Sequence, residues 1–411
     1  MQPMPPLTSE EIHEAEAALR GIIHRTPVEF SRSLSELAGV EVWLKCENLQ
    51  VGGSFKIRGA YTRMVRLPAT ARAAGVIAAS AGNHAQGVAL AARELGIPAI
   101  VYMPEGAALP KVAATRDYGA TVRLVGSTVD EALEAATAEA AATGRTIVHP
   151  FDHRDVVLGQ ATLGTEILDQ VPGARHVLVP AGGGGLLAGI GAAVATGSGP
   201  RPQVVGVQAV GAAALPESLA QGRPVPLSAM ETMADGIAVG CPGAVPLDFI
   251  SRTVDGIMTV TEEELSRALL LLTERAKLVV EPAGTAGVAA ALRGAGNWSG
   301  PIVAVLSGGN IDPLVLTRIL RHGLVDARRY LHLRIRARDT PGHLARLLAQ
   351  VASSGANVLS VDHNRTAPSL AMGEVEIAIE AETRGPDHAR AVIDGVRAEA
   401  GIAGEVRTDQ F

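Results

Sequence analysis

Between residues 40 and 317, short apolar runs alternate with longer stretches in which apolar positions return every three or four residues. The runs at 40–45, 76–80, 97–103, 121–125, 146–149, 176–180, 203–208, 256–260 and 301–306 read as strands. Several of them, VIAAS, IPAIVYM, HVLVPA and PIVAVLS, are apolar at almost every position rather than at every second one. Parallel strands covered by helices on both faces look like this. The intervening 84–95, 129–142, 155–170, 185–196, 262–276 and 283–293 carry helical periodicity. Ahead of them, Thr8-x-x-Glu11 fits a capping box, and Ile12, Ala15, Ala18, Leu19 and Ile22 recur at helical spacing. The pattern predicts an α/β body of doubly wound, mostly parallel sheets in two lobes.

The pattern changes after a helix around 313–322. RRYLHLRIRARD, NVLSVDHNR and GEVEIAIEAE alternate apolar and polar residues, as strands with one wet face do. TPGHLARLLAQVASSG and 386–400 read as helices. A β-α-β-β-α tail, a small α+β sandwich, is therefore expected beyond a boundary near 323–330.

Composition narrows the function. With 411 residues and 47% apolar content the chain can fill a large core, and only 3% aromatics against 46 glycines means that Ala, Val, Leu and Ile fill it around tight turns. A net charge of −6 and scattered Lys and Arg give no face for nucleic acid. The amino terminus lacks a signal-peptide pattern, and Gly, Pro or charge interrupts each apolar stretch before membrane-spanning length, so a cytoplasmic protein with no membrane partner is expected. Cys46 and Cys241 are expected to be reduced thiols.

Four segments carry chemistry. In ENLQVGGSFKIRGA (47–60), Lys56 stands between Phe55 and Ile57, and apolar surroundings lower a lysine's pKa toward the neutral amine that imine formation needs. SAGNHAQGVA (80–89) turns from a strand into a helix and offers backbone N–H groups, a hydroxyl and an amide to an anion. PAGGGGLLAGIG (180–191) places four glycines, Gly182 to Gly185, at another helix start, where backbone amides can close around a phosphate. Gly183, Gly185 and Ala188 also fit G-x-G-x-x-A, but the next strand ends at Gln208 where a dinucleotide site requires an acid. In VAVLSGGNID (303–312), Ser307 leaves a strand's carboxyl end, where open α/β sheets bind ligands.

In this order the four segments resemble the serine/threonine ammonia-lyase branch of the fold-type II pyridoxal-phosphate (PLP) enzymes, the tryptophan-synthase-β-like family, over roughly residues 8–322. The resemblance implies a catalytic domain over 1–325, with a smaller lobe of roughly 50–153 inserted in the larger. It implies that Lys56 carries PLP as an imine, with Phe55 near the ring, Asn83 on the phenolic oxygen and Ser307 on the ring nitrogen. The backbone of Gly182, Gly183, Gly184, Gly185 and Leu186 would take the phosphate. MADGIAVG (233–240) would back the cofactor with Gly236, and VVEPAGTAG would bring Glu281 near the ring. Ser80, Gly82, Asn83 and His84 would receive the substrate carboxylate. The implied reaction is loss of water from threonine, and from serine as well, giving a 2-oxo acid and ammonia, an activity used in amino-acid metabolism and isoleucine biosynthesis.

The tail, 329–411, resembles an ACT domain. That likeness implies an amino-acid effector, with Asp339, Pro341, Gly342 and Asn357 as its contacts, and a homodimer or homotetramer. Three departures from the lyase family bear on function. Gly52-Gly53 replaces the usual Thr-Gly, Ala81 stands where racemases carry a serine on the cofactor's far face, and Gln208 and Ala214 stand where racemases place metal-binding carboxylates. Serine racemase and a metal site are accordingly disfavoured. A serine or 3-hydroxyaspartate lyase and, outside catalysis, an amino-acid sensor are the competing readings.

Overall fold

A computed structural model of the chain describes residues 4–366, 370–400 and 405–408. The chain divides into two compact units, Met1–Pro313 and Leu314–Phe411, so the helix Pro313–Asp326 opens the second unit.

The first unit holds two sheets. One has six strands in the order Val28–Phe30, Val42–Lys45, Ile302–Val305, His176–Pro180, Gln203–Ala209 and Gly256–Val260, all parallel except the first pair. The other has four parallel strands in the order Thr121–Leu124, Ala99–Met103, Val76–Ala79 and Thr146–Ile147. The doubly wound α/β expectation holds because apolar residues on successive positions feed opposite cores. Val177 and Val179 pack with Leu158, Leu187 and Ile190 on one side of the large sheet, while Leu178 packs with Ala286 and Ala290 on the other. In the small sheet Val76 and Ala78 face one cluster, and Ile77 and Ala79 another that includes Ala132 and Ala136.

The strand Val28–Phe30 was not anticipated. It is three residues long, half-buried to exposed, and lies at the sheet edge, so it has no apolar run to announce it. The helix expected over 262–276 is α-helical through Leu271 and finishes as a wider π turn over Leu272–Ala276.

A buried cluster of charges holds the helix that begins at Lys56. Arg58 is fully buried, as are Lys45 and Glu47. Arg58 donates from Nε to Glu47 at 2.8 Å and from Nη1 to Glu166 at 2.7 Å, and Lys45 Nζ reaches the same Glu166 at 2.6 Å. Burial alone would raise Glu47, but the Arg58 guanidinium holds its carboxyl below the usual range. Glu166 belongs to the helix Arg154–Gln170, which packs close to the Lys56 helix at Gly159, where a Cβ would overlap the carbonyl of Arg58.

In the second unit the strands Asn357–Asn364, Glu374–Glu382, Tyr330–Arg338 and Glu405–Thr408 form one antiparallel sheet in that order. Leu331, Leu333, Ile335 and Ala337 point to one face and meet Leu347, Val351, Val392 and Val396 of the two helices His343–Ser353 and Pro386–Ala400. The strand Glu405–Thr408 was not expected, being too short to show a period of two. Among the described residues no helix is long and apolar enough to cross a membrane, and both cysteines are free.

Removing one member of the buried charge cluster strands its partner. Arg58→Met is expected to cost about 3–5 kcal/mol of stability, and Glu47→Leu added to it to recover part of that loss. Equilibrium denaturation of the single and double variants checks both signs.

Candidate active site

Both sheets of the first unit point their strand carboxyl ends at one cavity of about 840 Å³. Ser80 follows Val76–Ala79, Ala181 follows His176–Pro180, and Leu306-Ser307 follows Ile302–Val305. Parallel α/β sheets bind ligands at this end, because the turns there open into helix N-termini. Phe55, Lys56, Ser80, Gly82, Asn83, His84, Gly182 through Leu186, Gly236, Glu281 and Ser307 all line this cavity. The structure thus places around one cavity each residue of the catalytic body to which the resemblance assigns a cofactor or substrate contact.

Lys56 opens the helix Lys56–Val65. Its Nζ lies 3.2 Å from the Pro150 carbonyl and 5.1 Å from the centre of the Phe55 ring. Burial pulls this amine down from 10.5 to about 8, with the Glu281 carboxylate acting in the opposite sense. The loop before it is stitched to the Ser307 turn: Phe55 N–H donates to the Ser307 carbonyl at 3.2 Å and Gly309 N–H to the Gly53 carbonyl at 2.9 Å. Asn310 adds a donation from Nδ2 to the Gly52 carbonyl at 2.8 Å. Gly52 and Gly53 have φ of +78° and +72°, and a Cβ at Gly53 would overlap the Asn310 amide. The Gly-Gly pair therefore answers to a left-handed backbone, which a β-branched threonine disfavours.

The four-glycine turn leads into the helix Gly185–Thr196. Gly184 has φ of +95°, and a Cβ at Gly183 would enter the ring of Phe151. Side chains are excluded here, so the chain can present only backbone to an anion. Facing the cavity, Asn83 Nδ2 donates to Glu281 Oε1 at 2.6 Å, and Asn310 Nδ2 donates to Asn83 Oδ1 at 2.9 Å. Burial, followed by the charge of Asp235, raises Glu281 to about 7.

His84 differs from its neighbours. Its Nε2 lies 2.7 Å from the Val148 carbonyl, and burial followed by the charge of Lys56 holds its pKa down at about 3, so the ring is neutral and turned into the wall. All five residues of the Ser80–His84 turn line the cavity. Ser80 Oγ accepts from Gly82 N–H at 3.2 Å.

Sequence reasoning missed four residues. Asn310 stood inside a quoted motif, and Asp235 stood beside Gly236. Lys111 and Phe151 belong to no motif, and only the folded chain brings them to the cavity. Gln208 is buried and structural: its Nε2 donates to the Ala181 carbonyl at 3.1 Å, and its Oε1 accepts from Leu215 N–H at 2.9 Å. Among the described residues no group of three or more His, Cys, Asp or Glu is placed to hold a metal ion.

The effector residues expected in the second unit fall on different elements. Asn357 lines a cavity of about 500 Å³ with Arg321, Arg329, Arg384 and Glu382, whereas Asp339, Pro341 and Gly342 lie outside it. Asp339 instead pairs with Arg365 at 2.6 Å.

The family model for "pyridoxal-phosphate dependent enzyme" matches residues 19–308. The chain belongs to the pyridoxal-phosphate-dependent enzymes. An L-threonine ammonia-lyase of Thermotoga maritima is 45% identical over 382 residues, 93% of this chain and 95% of that protein. One from Geobacter sulfurreducens is 46% identical over 383 residues, with the same coverage. A solved T.th. threonine deaminase superposes with a TM-score of 0.71 at 41% identity, over 74% of this chain and 99% of that one. A serine racemase of Dictyostelium discoideum gives 0.70 at 33% identity, covering 74% and 99%. For a member of this family the cavity fits its cofactor: a low-pKa lysine, a side-chain-free anion cradle and the Ser307 hydroxyl surround one space.

A Cβ in the cradle should disturb cofactor binding before it disturbs the fold. Gly183→Ala is expected to weaken retention of pyridoxal phosphate by roughly ten- to a hundredfold, the scale of a 1–3 kcal/mol overpacking cost. Phe151→Leu in the same chain should restore part of it. The cofactor-to-protein ratio after dialysis, with far-ultraviolet circular dichroism as the folding control, reads both.

Proposed function

We propose that this enzyme is an L-threonine ammonia-lyase that converts L-threonine to 2-oxobutanoate and ammonia and accepts L-serine as well. The observation that carries the reading is the Lys56 amine, lowered to about 8 and set in one cavity with the glycine turn and Ser307. The two ammonia-lyases matched over 93% of the chain support the choice of reaction.

In this reading Lys56 would hold the cofactor covalently, the N–H groups of Gly182–Leu186 would take its phosphate, and Ser307 would bond its ring nitrogen. Asn83 would bond the ring's oxygen, Gly236 would back the ring and Phe55 would pack beside it. The bound cofactor supplies the electron sink that makes the substrate's Cα–H acidic. The Ser80–Asn83 turn receives the substrate carboxylate. The Lys56 amine would be the group placed to take the Cα proton, since it lines the same cavity as the Ser80–Asn83 turn. A hydroxyl rather than a carboxylate at Ser307 would leave a bound ring nitrogen uncharged, a setting that would suit β-elimination. Ala81 lines the cavity and carries no acid to return a proton to the opposite face of Cα, so elimination is favoured over racemisation.

We further read residues 329–411 as an ACT-like regulatory module that binds an amino-acid effector and pairs with a second copy. Four antiparallel strands with two helices on one face support that reading.

Assay of the parent with L-threonine should give 2-oxobutanoate, and Lys56→Ala should lose at least about a thousandfold of that rate, since both attachment of the cofactor and the base are removed. A parent that binds pyridoxal phosphate and leaves threonine and serine unchanged would sink the substrate assignment.

A further inference from the structure

Lys111 stands on the helix Leu109–Asp117 beside the four-stranded sheet, and Asp235 on the turn Asp235–Ile237 of the six-stranded lobe. Lys111 Nζ donates to Asp235 Oδ2 at 2.8 Å, and both residues line the cavity. The pair therefore ties one lobe to the other at the cavity rim. Its two ends differ: the Lys111 side chain is 16% exposed and that of Asp235 is 63% exposed, so the ammonium faces inward and the carboxylate faces water.

The inward end lies over the Ser80–Asn83 turn. A Cβ built on Gly82 would be 3.7 Å from Lys111 Nζ. Among the described residues lining the cavity, Lys56 and Lys111 are the only lysines or arginines. If Lys56 holds the cofactor, Lys111 is the one cation left there to face a carboxylate.

We propose that Lys111 recognises the α-carboxylate of the amino-acid substrate and that Asp235 is the resting counter-ion it leaves when substrate arrives. This rests on the reading of the cavity as an amino-acid site. One carboxylate replaces another on the same ammonium, so no buried charge is left uncompensated during the exchange. Asp235 is released into water, where its solvation costs least, while Lys111 stays within the cavity. Asp235 is thus a competitor for substrate, and Lys111 a binding residue. Both groups lie within electrostatic reach of Glu281, which Asp235 raises and Lys111 lowers, as expected of a pair beside the buried end of the cavity.

The two residues should move affinity in opposite directions. The probe is L-2-aminobutanoate, which has the carboxylate and amine of threonine but no hydroxyl to lose; its dissociation constant is read on the holoenzyme from the visible absorbance of the cofactor. Lys111→Gln is expected to weaken it about tenfold or more, the loss of one charge-assisted contact, and Asp235→Asn to tighten it by about two- to fivefold. KM for L-threonine should follow these shifts while kcat changes by less than about threefold. 2-Aminobutanamide, which lacks the carboxylate, should bind the parent and Lys111→Gln alike. Weakening by both variants, or an equal effect on the amide, would make the pair a structural tie and overturn the proposal. Unchanged binding in both variants would overturn it too, with the parent's turnover of threonine leaving the activity intact. A parent that neither binds nor turns over these amino acids would overturn the substrate reading and the proposal together.

Discussion

The position of the Lys56 amine depends on Arg58. Two residues apart on a helix means about 200° of rotation, so the two side chains leave nearly opposite sides of the same turn. Arg58 is held between Glu47 and Glu166 in the core, and Glu166 is shared with Lys45. A salt-bridged guanidinium with fork geometry fixes direction as well as distance. With that side locked, Lys56 is directed at the cavity, and the Phe55 and Gly309 backbone bonds close the loop behind it.

What lies in front of the lysine is a space with few charges and well-defined backbone. The anion cradle is glycine backbone crowded by Phe151, the Ser80–Asn83 turn offers N–H groups at a helix start, and the His84 ring is neutral. Burial then governs both titratable groups that matter most, lowering Lys56 to about 8 and raising Glu281 to about 7. Each change favours the neutral form, and both follow from one cause, withdrawal from water. For the cofactor-free enzyme the linkage has a definite sign. A lysine depressed from 10.5 to about 8 costs stability in full below pH 8, and the cost fades as pH rises toward 10.5.

The sequence made the parallel sheets legible because strands buried on both faces are apolar throughout, as in VIAAS and HVLVPA, and helices on both sides of a sheet are what bury such runs. Motifs made Lys56, Asn83, the glycine turn and Ser307 legible, since each sits where a strand or loop runs into a helix start or a tight turn. Lys111, Asp235 and Phe151 were not legible. They act on the cavity through distances fixed only when the two sheets come together, and a lone lysine at position 111 has no local pattern to mark it. The His84 ring illustrates a different point: its motif placed it in the cavity wall, and the fold turns its Nε2 to the Val148 carbonyl, a partner no motif could name. Val28–Phe30 and Glu405–Thr408 are short and lack the apolar run that marks Val76–Ala79 and Ile302–Val305.

Cofactor attachment turns on a lysine amine whose neutral form is far more populated near neutral pH than that of an ordinary lysine. The direct measurement is the pH dependence of covalent recombination of the cofactor-free enzyme with pyridoxal phosphate, trapped by borohydride reduction and quantified on Lys56. Only the neutral amine attacks, so the rate should rise with pH to a midpoint near 8 and level off above it. A rate still rising toward 10.5, the ordinary value for lysine, would show that the amine is not held as described and would contradict the account.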